Sequence, residues 1–365
     1  MQCTLRLFRG YVELRNKNAM KNKPISIELL APARNLATAL DAINHGADAV
    51  YIGAPRFGAR QAAGNSVEDI ARLVEYAHIF GVKIYVTLNT IIYDDELREV
   101  EELITQLYNV GVDALIIQDM GIIRLNIPPI ALHASTQMDN RDAEKVKFLY
   151  DAGFKQIVLA RELSLDEISG IHKAVPQARL EAFVHGAMCV SFSGRCLLSN
   201  YMTGRDANRG QCAQPCRWKY TVVEETRPDL PMTIEQDDNG TYLFNSNDMN
   251  MISHVAELAQ AGISSFKIEG RAKTFYYAAV TANAYRLAVD GYIASNFDPA
   301  YVPEEWIVDE MNKISHRPYG TGFYYGMPAQ HLKQGGYIRS YEVAAVVEGW
   351  QNDHLIVTQR NRFFP

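Results

Sequence analysis

Four of the five cysteines in this 365-residue chain lie close together, and thiolates are good ligands for soft metals. They are Cys189, Cys196, Cys212 and Cys216, with six, fifteen and three residues between successive members. Four thiolates suit a 4Fe-4S cluster or a structural zinc ion. Structural zinc prefers two pairs with about two to four intervening residues, and only the last pair has that spacing. The spacing therefore favours an iron–sulfur cluster, with zinc and unliganded cysteines as alternatives.

The segment that carries these cysteines is also basic and aromatic. Its aromatic residues are Phe192, Tyr201, Trp218 and Tyr220. Five lysines or arginines lie between residues 195 and 219, against one acidic residue, Asp206. Arginines attract phosphate or carboxylate and aromatic rings stack on bases, so Arg209 and Arg217 are candidate substrate-binding residues. The alternative is a solvated loop whose arginines pair with local acidic residues.

The elements that must position this segment alternate between strands and helices. The predicted strands cover residues 27–33, 49–54, 83–90, 114–119, 130–136, 156–160, 180–186, 241–246 and 265–270. The clearest amphipathic helices, 67–81, 95–111 and 141–153, each end on glycine, a common helix C-cap. This alternation predicts a (β/α)8 TIM-like barrel over residues 27–292. A doubly wound open sheet is the alternative, although no G-x-G-x-x-G dinucleotide motif follows an early strand.

Three stretches lie outside this alternation. Residues 187–240 form an insertion after the seventh strand, with a predicted hairpin around residues 238–240, at the end of the barrel where barrel enzymes keep their chemistry. Residues 293–365 are predicted to form a small β-rich domain, which is expected to be incomplete. Residues 1–26 are basic and lack the apolar core of a secretory signal, so they are interpreted as a leader or extension. Cys3, within that extension, is expected to be a bystander.

Polar residues follow several predicted strands, and such positions in barrels often belong to an active site. The candidate catalytic residues are His133, His185, Lys267 and Glu269. The arginines expected to bind anionic groups are Arg60, Arg161 and Arg271. Further polar residues at strand ends are Asn89, Asp119, Ser135, Gln137 and Glu162. For each of these residues the alternative is an ordinary hydrogen bond or ion pair, and a lone histidine is more often buried than a ligand.

Composition and missing motifs exclude several classes of protein. Hydrophobic residues make up 48% and charged residues 21%, which excludes a disordered chain. The formal net charge of −6 argues against indiscriminate nucleic-acid binding but allows one local basic surface. No apolar run reaches about 18 residues, so no membrane span is expected, and the few cysteines predict reduced thiols in a cytoplasmic protein. Because H-E-x-x-H, G-x-S-x-G and P-loop motifs are missing, zinc proteases, α/β-hydrolases and P-loop NTPases are disfavoured.

Motifs spread over most of residues 27–292 resemble those of the peptidase U32 family. They are LLAPA (29–33), GADAVYIGAPRFGAR (46–60), HASTQ (133–137), FVHGAMC (183–189), SGRC (193–196), RGQCAQPCR (209–217), NSNDM (245–249) and FKIEGR (266–271). The four-cysteine block and the KIEGR motif are the most specific. The family name implies a collagenase-like protease, whereas its better understood members resemble oxygen-independent hydroxylases.

The resemblance implies more about the cysteines and the substrate. It implies a 4Fe-4S cluster on Cys189, Cys196, Cys212 and Cys216, and prephenate as the oxygen source of the RNA-acting members. The chain is most similar to the tRNA-hydroxylating branch, which implies formation of 5-hydroxyuridine at the tRNA wobble position. The expected partner is then tRNA, with a second copy of the chain or a partner protein as further candidates.

Two other functions are kept as alternatives. One is a collagenase-like peptidase, and the other is a non-catalytic RNA-binding module held together by zinc. A peptidase needs an activated nucleophile or a metal-bound water, and no motif in the sequence supplies a recognisable one. The residues therefore agree better with a cluster enzyme than with a protease, and the resemblance implies that this enzyme is an RNA hydroxylase.

Overall fold

The computed structural model describes residues 27–59, 64–189, 191, 196–218, 235–237, 240–242, 246–326, 328 and 337–362. The strands are β1 (Glu28–Ala33), β2 (Ala49–Gly53), β3 (Lys83–Leu88), β4 (Ala114–Ile117), β5 (Ala131–Ala134), β6 (Gln156–Val158), β7 (Leu180–Ala187), β8 (Glu235–Asp237), β9 (Gly240–Tyr242), β10 (Asp248–Asn250), β11 (Ile263–Ile268), β12 (Tyr319–Gly320), β13 (Ala345–Gln351) and β14 (His354–Gln359). The α-helices are α1 (Leu36–Asn44), α2 (Val67–Ile79), α3 (Leu97–Asn109), α4 (Ala143–Asp151), α5 (Leu165–Ala174), α6 (Leu198–Thr203), α7 (Val255–Gln260), α8 (Phe275–Ala294) and α9 (Glu305–Asp309). Single 3₁₀ turns lie at Asp94–Glu96, Met120–Arg124, Thr136–Met138, Ala207–Arg209, Pro215–Arg217, Ile252–His254 and Glu310–Lys313.

Eight parallel strands close into a barrel. Strands β1 to β7 pair in chain order, and β11 pairs with both β7 and β1. This closure confirms the predicted (β/α)8 barrel and excludes the open doubly wound sheet. The short strand β10 runs antiparallel to the end of β7, and β12 pairs with β10 outside the barrel.

The helices begin and end where local chemistry favours it. Ser66 caps α2 by accepting a hydrogen bond from the Asp69 amide at 3.1 Å, and Ser164 forms a reciprocal capping box with Glu167 on α5. In α3 the buried residues recur at helical spacing, and they are Val100, Leu103, Ile104 and Leu107. The three clearest predicted helices are confirmed, and the glycine after each has a positive φ.

Eight of the nine predicted strands correspond to the eight strands of the barrel. The prediction of a strand over 241–246 was only partly right. Gly240–Tyr242 pairs with Glu235–Asp237 in a separate antiparallel hairpin, while residues 243–245 lie outside the described part of the chain. The eighth barrel position is taken by β11, whose residues are buried except for the half-buried Ser264.

The barrel has two buried regions, one between its strands and the surrounding helices and one inside the ring of strands. Most of the buried apolar residues form one large cluster between the strands and the surrounding helices. A smaller cluster comprises Leu30, Ala49, Tyr51, Tyr85, Ala114 and Ile116. It is accompanied by buried polar residues on β1, β6, β7 and β11 that hydrogen-bond to one another. The barrel is therefore held from outside by packing and crossed inside by a polar network.

The region after α8 contains a part that packs on the barrel and a part that forms the predicted C-terminal β-structure. Ile307, Met311, Ile314 and Tyr324 are buried in the main apolar cluster of the barrel. The described β-structure that stands apart is the antiparallel hairpin β13–β14, and most of its side chains are exposed. Apolar residues at 307, 311 and 314 have helical spacing, which explains why this stretch packs on the barrel. None of the described helices combines the length and apolarity needed to span a bilayer.

Candidate active site

A cavity of about 190 Å³ opens at the C-terminal ends of the barrel strands. All four clustered cysteines line it. The ionisable residues that line it with them are Arg161, Lys267, Glu269 and Arg271, and the uncharged polar residues include Tyr51, Thr87, Asn89, Ser135, Thr136, Gln137, Ser199 and Asn208. The cavity therefore combines thiols, cations and hydrogen-bonding groups at the functional end of a barrel.

The cysteines come from both ends of one segment. Cys189 follows the end of β7 and is exposed, while Cys196, Cys212 and Cys216 are half-buried. The backbone N–H of Gln214 points at Cys212 Sγ at 3.4 Å, from a residue in the left-handed region with φ 58°. Hydrogen bonds to sulfur of this kind are found around the cysteine ligands of iron–sulfur clusters.

The four thiols share the cavity without meeting at one point. In the part of the chain that the structure describes, no three His, Cys, Asp or Glu side chains are gathered around a single metal-ion position. A zinc ion with four thiolates at about 2.3 Å would bring their sulfurs about 3.8 Å apart. A 4Fe-4S cluster bonds each thiolate to a different iron, so its ligands stay farther apart.

The cysteine-bearing segment crosses the mouth of the barrel. It leaves β7 and docks on the loop after β3, the strand on the opposite side of the eight-stranded ring. Arg209 donates to both carboxylate oxygens of Glu96 at 2.7 Å and to the Ile91 carbonyl at 2.7 Å. The Ile91 amide in turn donates to the Asn208 carbonyl at 3.3 Å. Arg209, predicted to bind substrate, therefore makes an ion pair that holds the segment in place.

Gly210 brings the same segment against the loop after β2. Its φ is +81°, and a Cβ atom there would lie 2.4 Å from the Gly58 carbonyl oxygen. Only glycine tolerates both this conformation and this approach without a shift of the backbone. The contact fixes the height of the segment above the cavity.

Three cations line one wall of the cavity. Arg161 pairs with Glu269 at 3.1 Å and lies 4.0 Å from the centroid of the Phe183 ring. Buried Arg271 donates to the Thr87 hydroxyl at 2.7 Å. With Lys267, these side chains provide three positive charges against two carboxylates, Glu269 and the Glu181 paired with Lys267, so the remaining positive charge suits an anionic ligand.

Lys267 connects the cavity to the polar interior of the barrel. Its Nζ donates to buried Glu181 at 2.6 Å and lies 4.5 Å from the centroid of the Tyr51 ring. Burial lowers the pKa of Lys267, and the Glu181 carboxylate opposes that effect. Gln156 donates to both Glu181 and Glu28. Burial alone would raise the pKa of Glu28, but Arg179 and several hydrogen bonds outweigh it, and the pKa is lowered.

A sequence model of "Peptidase family U32" matches residues 34–334, which is most of the chain. The chain belongs to peptidase family U32. It is 50% identical over 295 residues to the 23S rRNA 5-hydroxycytidine C2501 synthase of Escherichia coli, covering 80% of this chain and 44% of that relative. It is 38% identical over 347 residues to the tRNA hydroxylation protein P of Helicobacter pylori, covering 93% of this chain and 80% of that relative. It is also 31% identical over 312 residues to a collagenase of Porphyromonas gingivalis, covering 82% and 73% of the two chains.

The two histidines predicted as catalytic candidates lie away from the cavity of this U32 chain. His133 is buried inside the barrel, where its ring packs edge-on against Tyr85 at 4.6 Å between centroids. His185 is buried among Tyr277, Tyr285 and Tyr319. Burial lowers the pKa of each histidine to about 3. Both therefore remain neutral at physiological pH, as expected for residues that fill the interior.

The remaining predicted residues divide into two groups. Lys267, Glu269, Arg161 and Arg271 line the cavity. Arg60 and the side chain of Arg217 lie outside the described residues. Sequence reasoning did not single out Tyr51, Thr87, Phe183 or Asn208, which also line the cavity. One signal was available, since Thr87 lies two residues before Asn89 and side chains at that spacing share a face of a strand.

Proposed function

We propose that this chain is an RNA hydroxylase that converts the C5–H of the wobble uridine of tRNA into C5–OH without molecular oxygen. The observation that carries the proposal is the cavity in which four cysteines face a cationic wall at the mouth of the barrel. Relatives named for tRNA hydroxylation and for rRNA 5-hydroxycytidine synthesis support the same type of reaction. RNA hydroxylation accounts for both the thiols and the cations of this site.

Cys189, Cys196, Cys212 and Cys216 would hold a 4Fe-4S cluster. Their shared cavity and the Gln214 N–H directed at Cys212 fit such a cluster. When bound, the cluster supplies one-electron chemistry beside the substrate. The Arg209–Glu96 pair and Gly210 hold the ligands across the barrel mouth.

The cationic wall would bind the oxygen donor, for which we propose prephenate. Arginine forks bind carboxylates in the plane of the guanidinium, and Arg161 and Arg271 lie on this wall. Lys267 adds a positive charge whose position is fixed by Glu181. The donor, R–OH, and the RNA, RNA–H, become R–H and RNA–OH, so the donor accepts the two electrons that the pyrimidine loses.

The residues of the cavity also define where the base sits. Asn89 accepts from the Ala59 amide at 3.0 Å and donates to Gln137 at 2.6 Å, so its amide is fixed. Tyr51 donates to the Ile268 carbonyl at 2.9 Å, which directs its ring rather than its hydroxyl to the cavity. A fixed polar edge helps to position an unstacked base, whereas the Tyr51 ring is buried and lies against Lys267.

Cytidine of ribosomal RNA is a second candidate substrate, supported by the 50% identity to the rRNA synthase. The peptidase activity has weaker support. The collagenase relative favours it, yet none of the described lining residues is a histidine that could activate a serine or a cysteine.

The test combines metal analysis with RNA analysis. Protein purified without air should contain about four irons and four sulfides per chain, and Cys212→Ala should lose them while retaining the circular dichroism of the barrel. The chain would then be expressed in Escherichia coli strains that lack the tRNA hydroxylation protein P or the 23S rRNA synthase, and nucleosides would be measured by mass spectrometry. Restored 5-hydroxyuridine supports the proposal, and restored 5-hydroxycytidine selects the second substrate. One zinc without iron, or neither nucleoside, refutes the hydroxylase.

A further inference from the structure

A second cavity, of about 530 Å³, lies beside the start of α8. Its walls come from residues 272–277, 313–315 and 337–343. Arg271 lines the cysteine cavity and Ala272 lines this one, so both cavities border the same short loop after β11. The loop after the last strand of a barrel, with the helix that follows, is a frequent phosphate-binding position.

Two cations of this cavity, Lys273 and Arg339, make no ion pair with the described residues. Lys273 Nζ lies 4.3 Å from the Tyr337 ring centroid and 5.1 Å from that of Tyr277, and it donates to the Ser315 carbonyl at 3.3 Å. Arg339 is exposed on the opposite segment. Within the described ranges, neither Lys273 nor Arg339 has a carboxylate within ion-pair distance. Two positive charges are therefore available to a ligand.

The net charge of the cavity stays positive when its other charged residues are counted. Lys313 is paired with Glu310 at 2.6 Å, so it contributes little net charge. Glu342 also lines the cavity and offsets one of the two available cations. The remaining positive charge suits a monoanion, such as the phosphodiester of a nucleic acid, better than a multiply charged small phosphate.

Aromatic rings line the same cavity. Tyr337 and Tyr341 are 39% and 54% exposed, so part of each residue is open to a ligand. Exposed rings beside a cation are the pattern by which proteins hold single-stranded nucleic acid, with bases stacked and phosphates neutralised.

We propose that this cavity binds the nucleotide next to the one that reacts, with its phosphodiester on Lys273 and Arg339 and its base on Tyr341. The proposal rests on the proposed function, because the phosphodiester is taken to be that of the RNA substrate. It assigns to the loop after β11 a double role, with Arg271 facing the reaction and Lys273 facing the neighbouring nucleotide.

The experiment measures binding of a fluorescent anticodon stem-loop RNA to the full chain over a range of salt concentrations. Arg339→Ala should lower the slope of log K against log salt by about 0.7, the value for one lost contact to single-stranded nucleic acid. Tyr341→Ala should weaken binding about five-fold or more with no change in slope, because stacking involves no counterion release. The matched controls are Arg98→Ala and Tyr108→Ala, exposed residues on the outer helix α3.

The outcomes separate this inference from the proposed function. If the wild-type chain does not bind the RNA, the proposed function fails and takes this inference with it. If the wild-type chain binds but Arg339→Ala and Arg98→Ala have the same slope, the second cavity is not an RNA site and the proposed function stands. A lower slope with Arg339→Ala, together with weaker binding and an unchanged slope with Tyr341→Ala, supports the inference.

Discussion

Replacing Arg209 with alanine should loosen the cysteine-bearing segment while leaving the barrel folded. The guanidinium makes two bonds of 2.7 Å to Glu96 and one of 2.7 Å to the Ile91 carbonyl, and it lies 4.2 Å from the Tyr93 ring centroid. Arg209 and Glu96 are 113 residues apart in the chain. The substitution therefore removes a long-range attachment of the segment to the barrel.

The size of the effect follows from the exposure of the pair. Hydrogen bonds to charged groups contribute about 1.5–3 kcal/mol when buried, whereas fully exposed ion pairs contribute less than about 1 kcal/mol. The side chains of Arg209 and Glu96 are 23% and 13% exposed, so we expect about 2 kcal/mol, between these limits. This free energy corresponds to about a 30-fold increase in the opening of the segment.

The charge state of Glu96 supports using neutral pH. The hydrogen bond from Arg209 is the main reason that the pKa of Glu96 is lowered to about 2, from a usual value of 4.5. A lowered carboxyl pKa means that the stabilisation is complete above pH 4.5 and is lost as the pH falls towards 2. At pH 7 the whole contribution of the pair is present and can be removed by mutation.

Hydrogen exchange followed by mass spectrometry measures this opening. Peptides from residues 196–218 should exchange about 30-fold faster in Arg209→Ala, while peptides from β3 keep their protection. Arg98→Ala is the control, because Arg98 makes an ion pair with Glu102 on α3 with side chains 91% and 60% exposed. That variant should change exchange about two-fold or less.

Two results would refute this reasoning. Equal exchange in Arg209→Ala and Arg98→Ala would show that the ion pair does not hold the segment. Unchanged exchange with weakened RNA or donor binding would return Arg209 to the substrate-binding role that the sequence suggested.

Three other predictions follow from the buried and strained positions. Glu181→Gln leaves Lys267 without its carboxylate in the barrel interior and should cost about 3–5 kcal/mol in urea unfolding, whereas the double variant Glu181→Gln/Lys267→Met should cost less than the sum of the single changes. Burial lowers the pKa of His133 and His185 to about 3, so below pH 6.5 the unfolded state binds protons that the folded state does not. The free energy of unfolding should therefore decrease as the pH is lowered. His133→Asn should flatten that fall by about 1 kcal/mol between pH 6 and pH 5, as measured by unfolding at the two pH values. Gly210→Ala should raise exchange over 196–218 as Arg209→Ala does, because its Cβ would lie 2.4 Å from a backbone oxygen of the loop after β2; unchanged exchange would contradict this.

The local pattern of apolar residues in the sequence was sufficient to predict the barrel. The strands are apolar runs buried on both faces, and helices such as α2 and α3 have apolar residues at helical spacing with a glycine after them. These signals lie within about 15 residues of the element they define. The insertion after β7 was predictable for the same reason, since it interrupts the alternation.

Long-range pairing was not predictable in this way. The sequence around Arg209 is basic, which suggested a ligand contact, but its partner Glu96 lies in a loop across the barrel. His133 and His185 follow the pattern of polar strand residues, yet both lie among buried tyrosines. A polar residue in a strand has the same local signature whether it faces a cavity or the packed interior, so only the packed structure separates the two cases.

The path of the cysteine segment has a consequence for how substrate reaches the site. It starts at β7 and is attached after β3, on the opposite side of the ring. In the proposed function a nucleotide would approach beside this segment, along the loop after β11, which has Arg271 in the first cavity and Lys273 in the second. Because the same segment carries the cysteines, any group that ties Cys196, Cys212 and Cys216 together would also fix the width of this approach. Metal loading and RNA affinity should therefore change together, even though the cations proposed to contact phosphate lie outside the cysteine segment.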